Sequence, residues 1–370
     1  MTTMQAGRPE FSGFRLFLWP IHRHELKKLI PMLIIFFLIS FDYNVLRTMK
    51  DTLVMYAPAS GAEVLPFLKV WAMFPGTLLM TWIFTRLSNQ FARQTVTYIL
   101  LSAFLIYFFL FVAILYPNSE NLEPTWLISK LRHYFPSDGY KWPILMIQNW
   151  VFTSFYVMAE LWSNIIFFVL IWGFANQVTR LSEAKRFYGL FGVGANLSGV
   201  LAGQASVYLS SLNYNPLLPY GNNMWEQSML FLVTMVIGAG LIVMYLLRWM
   251  DKNVLNDPIY YDPAEASAEG RIQGKLSIRE AFKYLLRSRY LIFLALIVFS
   301  YNVVINLTEV IWKFEVHELF TNPSEYSVYM NQVSTVIAII ATVSAMFVSG
   351  NAIRVFGWTF TAMLTPALLM

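Results

Sequence analysis

The stretch Leu29-Ile-Pro-Met-Leu-Ile-Ile-Phe-Phe-Leu-Ile-Ser-Phe-Asp-Tyr-Asn-Val-Leu-Arg-Thr-Met-Lys-Asp-Thr-Leu-Val-Met-Tyr56 decides how the chain is read. Its first half, through Ser40, is apolar enough to sit in lipid. Its second half loads Asp42, Asn44, Arg47, Lys50 and Asp51 onto the same helix. A charged group near the bilayer centre costs on the order of 2.5–3.5 kcal/mol by insertion scales. Such a helix persists where its charges face protein or water. It is therefore expected to line an aqueous path for an anion, with the rest of the chain forming the walls.

Composition agrees with a polytopic membrane protein. Charged residues make up 13% of the 370 and hydrophobic ones 57%, with mean hydropathy +0.54; a soluble domain carries about 25% charged residues. There is no cysteine, which excludes a disulfide framework and a thiolate metal site. His22, His24, His133 and His317 are scattered without metal-ligand spacing, so no metal and no cofactor is expected. The net charge of +5 reports membrane topology rather than nucleic-acid binding. Residues 1–28 lack the apolar core and small-residue cleavage site of a signal peptide. They mix Phe, Leu and Trp with Arg15, Arg23, Lys27 and Lys28, as expected of a segment lying on the cytoplasmic interface.

A membrane-crossing helix needs about 20 apolar residues. Spans are expected at 29–56, 63–85, 95–116, 143–176, 187–211, 228–247, 290–314, 327–349 and 357–370, the fourth of them overlong. With the N-terminus inside, nineteen of the 26 basic residues fall in inner segments and three (Lys130, Arg132, Lys141) in outer loops, a strong positive-inside bias. The last span is still apolar at Met370 and has no polar flank. The chain is therefore expected to be a fragment or truncated product of a longer protein.

The organisation expected is an interfacial segment (1–28), a six-helix bundle (29–248), a cytoplasmic linker (249–289) and the start of a second bundle (290–370). Phe41-Asp-Tyr43-Asn44-Val45 recurs as Phe299-Ser-Tyr301-Asn302-Val303, with Asp51 and Glu309 at the same offset, which points to a duplication. Duplicated bundles are the plan of major-facilitator transporters. The fold class expected is thus an all-α membrane protein, a major-facilitator-like two-bundle transporter truncated within about its ninth helix.

Spans three, five, six and eight contain no Asp, Glu, Lys or Arg. Charge is concentrated in span one, in span four (Glu160, flanked by Asn149 and Asn164) and in span seven (Asn302, Asn306, Glu309, Lys313), with Lys69 in span two. In major-facilitator carriers the first and fourth helices of each bundle line the cavity, an analogy of fold. Plainer readings stand beside this one. Lys50 and Arg47 can snorkel to the outer interface, with Asp51 paired to Arg47. Lys69 can be interfacial, and Glu309 and Lys313 can be only an i,i+4 ion pair. Glu160 is too deep to snorkel and has no basic residue within a turn, so it needs a cation from another helix. In span five, Gly189, Gly192, Gly194, Gly199 and Gly203 leave one face without bulk, suited to close helix packing. They lack the spacing of a phosphate-cradling loop.

Four groups of segments together resemble the ATP/ADP translocase family of obligate intracellular bacteria and plastids. They are Leu46-Arg-Thr-Met-Lys50-Asp51-Thr with Glu63-Val-Leu-Pro66-Phe-Leu-Lys69-Val-Trp71; Met158-Ala-Glu160-Leu-Trp162 with Trp172-Gly-Phe-Ala-Asn176-Gln177; Glu183-Ala-Lys185-Arg186-Phe187-Tyr188-Gly-Leu-Phe191-Gly-x-Gly194-Ala-Asn196; and Asn306-Leu-Thr-Glu309-Val-x-Trp312-Lys313. They run in order over nearly the whole chain. The resemblance implies exchange of ADP for ATP across a membrane by alternating access. It implies no enzymatic activity, ATP and ADP as substrates, the lipid bilayer as surroundings, no nucleic-acid partner and a monomer. The location implied is a bacterial inner membrane, with the plastid inner envelope as the alternative. Lys50, Glu160 and Glu309 fall on the family's functionally sensitive charges, and a further lysine of that set lies beyond Met370. Arg47, Lys69, Lys313, Asn149 and Asn302 complete the expected substrate-binding set. Two other functions remain open: proton-coupled nucleotide import using Glu160 or Glu309, and a non-transporting membrane sensor or enzyme.

Overall fold

The computed structural model describes residues 21–257, 260 and 287–347. The expected ninth span, most of the linker and residues 1–20 of the interfacial segment lie outside these. Among the described residues regular structure is entirely helical, and eight helices are long and apolar enough to cross a membrane. They are α1 (Leu26–Met55), α2 (Val64–Gln90), α3 (Arg93–Leu115), α4 (Trp150–Val178), α5 (Leu181–Ser210), α6 (Met224–Asn253), α7 (Arg289–Leu319) and α8 (Pro323–Phe347). Each of the first eight expected spans overlaps one of them.

The overlong fourth span resolves into two helices. A short helix, Lys141–Gln148, ends at Asn149, whose φ of −91° and ψ of 39° leave the helical region, and α4 begins at Trp150. The Thr153 hydroxyl donates to the Met146 carbonyl at 2.8 Å and so pairs a group that the break leaves open. Within α4 the ten residues Trp162–Ile171 are wound as π-helix. That wider winding starts two residues after Glu160 and is a form that recurs at functional sites.

α1 is the central post and packs against α4, α5, α6 and α8. Leu29, Met32, Ile35, Phe36, Ile39, Leu46, Met49 and Leu53 are buried on it. The Phe36 ring stacks on Phe191 of α5 with centroids 4.5 Å apart and meets Trp172 of α4 edge-on at 5.0 Å. At its N-terminal end α1 is clamped to α5. Lys28 reaches Glu183 at 2.6 Å, and Arg186 forks onto Glu25 at 2.6 and 2.9 Å. These buried and half-buried pairs set the rotation of α1, and so decide which of its faces meets α7 and α8.

α5 and α8 run closely together along much of their length. Of the five glycines of α5, two meet α8 too closely to carry a Cβ. A Cβ on Gly199 would lie 2.9 Å from that of Ala338, and one on Gly203 would run into Thr335 and the Asn331 carbonyl. Gly189 and Gly192 face open space. Gln204 reaches Thr335 at 3.1 Å, and Ser210 reaches Ser327 at 3.2 Å.

Candidate functional site

The i, i+3, i+4 spacing of Ser40, Tyr43, Asn44, Arg47, Thr48 and Asp51 puts all six on one face of α1. That face lines a cavity of about 280 Å³ closed by Phe167 of α4, Asn196 and Gly199 of α5, Trp312 and Lys313 of α7 and Ser334 of α8. At its outer end four helices contribute to one continuous chain of ion pairs. Glu160 (α4) meets Lys50 (α1) at 2.9 Å, and Lys50 meets Asp51 at 2.8 Å. The other Asp51 oxygen meets Lys313 (α7) at 2.7 Å. Lys313 also holds Glu309 at 2.7 Å, and Glu309 takes Lys69 (α2) at 3.3 Å. Lys69 ends the chain by donating to Asn306 at 2.5 Å.

Three cations alternate with three carboxylates, so the chain is neutral. Lys50, Asp51 and Lys313 are buried, with side chains 4–5% exposed. A buried charge stripped of its partner costs several kcal/mol, and alternation gives each of these at least two contacts of opposite sign. The Lys50 ammonium also lies 4.1 Å from the centroid of the Tyr156 ring, a cation–π contact that adds to its stabilisation.

The repeat read in the sequence is thus joined in space, because Asp51 of α1 and Glu309 of α7 grip the same lysine. Glu160 takes its cation from α1, and Asp51 pairs with Lys50 and Lys313, not with Arg47. Arg47 is exposed on the cavity face and makes no ion pair among the described residues. Asn149 and Asn302 are not brought into the cluster. Asn149 donates to the Pro58 carbonyl at 3.0 Å, and Asn302 to the Val298 carbonyl of its own helix at 2.8 Å. Asp42 is wholly buried off the cavity with neither carboxylate oxygen hydrogen-bonded. Sequence reasoning missed Tyr156, which lies one helical turn before Glu160, and the uncharged cavity residues Tyr43, Asn196, Trp312 and Ser334.

Outward of the ion chain a plug closes the bundle. Met55, Val64, Leu65, Leu68, Tyr156, Val316, Tyr326 and Met330 pack together there. The Tyr56 hydroxyl donates to the Phe320 carbonyl, its ring lies 4.7 Å from His317, and Tyr326 reaches Met55 Sδ at 3.4 Å. Beyond the plug lies a larger vestibule of about 940 Å³, which includes Tyr116, Phe152, Glu120 and Glu226. Among the described residues no lysine or arginine lines it. The smaller cavity has Arg47 and Lys313.

Comparison with known proteins gives a family that spans this whole site. The family described as TLC ATP/ADP transporter matches residues 4–370. The chain is 43% identical to ADP,ATP carrier protein 1 of Chlamydia muridarum over 368 residues, covering 100% of this chain and 69% of that protein. It is 35% identical to ADP,ATP carrier protein 1 of Rickettsia bellii, covering 97% of this chain and 70% of that one. It is 37% identical to the chloroplastic ADP,ATP carrier protein 1 of Arabidopsis thaliana, over 93% of this chain and 54% of that protein. No solved structure matches.

Proposed function

The chain belongs to the TLC ATP/ADP transporter family, and from that premise we propose that its ion chain is the element that handles phosphate. The protein is a multi-pass membrane transporter that exchanges ADP for ATP. The observation that carries the proposal is a neutral, buried series of ion pairs bordering a cavity in which Arg47 is a surplus cation.

A nucleotide brings several negative charges into a low-dielectric space and needs cations there. Phosphate oxygens form charge-assisted hydrogen bonds to Arg47, Lys313 and Lys50, stronger than neutral ones. They compete for these cations with Asp51, Glu160 and Glu309. The Asp51–Lys313 and Glu309–Lys69 pairs are what tie α7 to α1 and α2. Exchanging carboxylate for phosphate therefore loosens the outer closure at the moment substrate occupies the cavity. Without substrate the pairs stay made, and parting them leaves buried charges uncompensated at about 3–5 kcal/mol. The empty carrier is thereby kept from reorienting, which makes exchange obligatory. On this reading residues 29–248 and 290–370 are two units that rock, and the glycine contact of α5 with α8 is the seam between them.

The test is uptake of labelled ATP by reconstituted carrier loaded with ADP, using Lys50→Ala and Glu160→Gln. Both are expected to lose most exchange. Uptake equal to wild type in both would remove these residues from the mechanism.

A further inference from the structure

Lys50 sits beside the smaller cavity without lining it. Arg47, Thr48 and Asp51 of α1 and Lys313 of α7 border that space. The Lys50 ammonium is turned instead toward α4. Two of its three donors go to carboxylates, Asp51 at 2.8 Å and Glu160 at 2.9 Å. Its remaining side meets the ring of Tyr156, whose centroid is 4.1 Å away. Tyr156 and Glu160 reach the same ammonium because they lie four residues apart on the α-helical part of α4 and so share a face.

The ring has a second engagement. Tyr156 is 1% exposed and belongs to the plug, in one cluster with Leu68 of α2, Val316 of α7 and Tyr326 and Met330 of α8. One side chain thus joins the ion chain to the hydrophobic closure. A ring also differs from a carboxylate as a partner. It is neutral and holds a cation through its quadrupole, and that hold is several times stronger in a desolvated place than in an exposed one. Parting the plug takes Val316, Tyr326 and Met330 away from the ring and admits water, which weakens the contact. The docked lysine and the closed plug therefore stabilise each other. This step rests on reading the ion chain as the lock of an exchanger.

We propose that Tyr156 is a positioning residue: its ring docks Lys50 off the cavity while no substrate is bound, and so keeps the empty carrier from reorienting. Reconstituted carrier loaded with labelled ATP and labelled sucrose is diluted into buffer with or without ADP. The quantity read is the ratio of ATP efflux without ADP to efflux with it. Tyr156→Phe keeps the ring and is expected to leave this ratio within about twofold of wild type. Tyr156→Leu removes the ring and is expected to raise the ratio about tenfold, as the loss of a desolvated cation–π contact is worth. Leucine also alters packing, so Tyr156→Phe bearing one, two or three ring fluorines is measured beside it. Fluorine drains negative charge from the ring face at nearly constant shape, and the ratio is expected to climb with each one. A ratio flat across the fluorine series would overturn the inference. So would sucrose escaping in parallel with ATP, the mark of a packing defect. Wild type that releases no ATP into ADP overturns the exchanger reading and this inference with it, a result distinct from a flat series on an exchanging carrier.

Discussion

Removing Asp51 and Lys313 together is expected to damage the protein less than removing either alone. The pair is 2.7 Å apart and both side chains are 4–5% exposed. At an effective dielectric of about 20, two unit charges at that distance attract by roughly 6 kcal/mol before desolvation. Stripping one partner from a buried pair costs about 3–5 kcal/mol, much of it from the orphaned charge. Asp51→Asn leaves three lysines facing two carboxylates, and Lys313→Met leaves the reverse. The double variant leaves Glu160–Lys50 and Glu309–Lys69 as two complete pairs, so the buried charge is balanced again. It is expected to be more stable than either single variant by about 2 kcal/mol or more, a coupling in the range seen for contacting residues. The assay is the unfolding midpoint of the four detergent-solubilised proteins in a double-mutant cycle. A double variant no more stable than the weaker single variant would refute the reasoning, because it would mean that the chain does not act as one charge-balanced unit.

Three further outcomes follow from other parts of the molecule. Arg47→Ala is expected to raise KM for ATP about 10–100-fold, the worth of a charge-assisted hydrogen bond of about 1.5–3 kcal/mol, with Arg47→Lys recovering part; an unchanged KM would take Arg47 out of the binding set. Gly203→Leu is expected to cost at least about 1–3 kcal/mol by overpacking against Thr335 and Asn331, whereas Gly189→Leu, facing open space, serves as a near-neutral control. Equal unfolding midpoints for the two would sink the assignment of the α5–α8 seam. Tyr56→Phe removes the hydroxyl that holds the Phe320 carbonyl, worth about 1 kcal/mol net. The chain has no cysteine, so Ser334→Cys gives a single thiol behind the plug, in the smaller cavity. Its labelling by a membrane-impermeant maleimide is expected to rise roughly fivefold in Tyr56→Phe, and an unchanged rate would show that this bond does not hold the gate.

Much of the site was legible because intramembrane charge is rare and costly. Lys50, Glu160, Glu309 and Lys313 stood out on apolar spans, and the structure joins them through Asp51. What the spans concealed was identity of partner. Asp51 had Arg47 four residues back as the cation on its own helix face, yet it pairs with the adjacent Lys50 and with Lys313, 262 residues away. Lys69 read first as an interfacial anchor, and the structure pairs it with Glu309 and Asn306 of α7. Asn149 looked like a flank of Glu160, but the chain breaks there and its amide is used to hold the Pro58 loop.

From the sequence alone came the number and approximate positions of the first eight crossings, their helical nature and the helices that carry charge. These depend on transfer free energies of consecutive residues, and the bilayer sums them over about 20 positions whatever the neighbours. The tertiary structure alone decided which faces meet, which two of the five glycines are needed, and how six ionised groups divide their partners. Those outcomes depend on the rotation of each helix about its axis, which the Glu25–Arg186 and Lys28–Glu183 clamps and the α5–α8 contact impose between segments far apart in the chain.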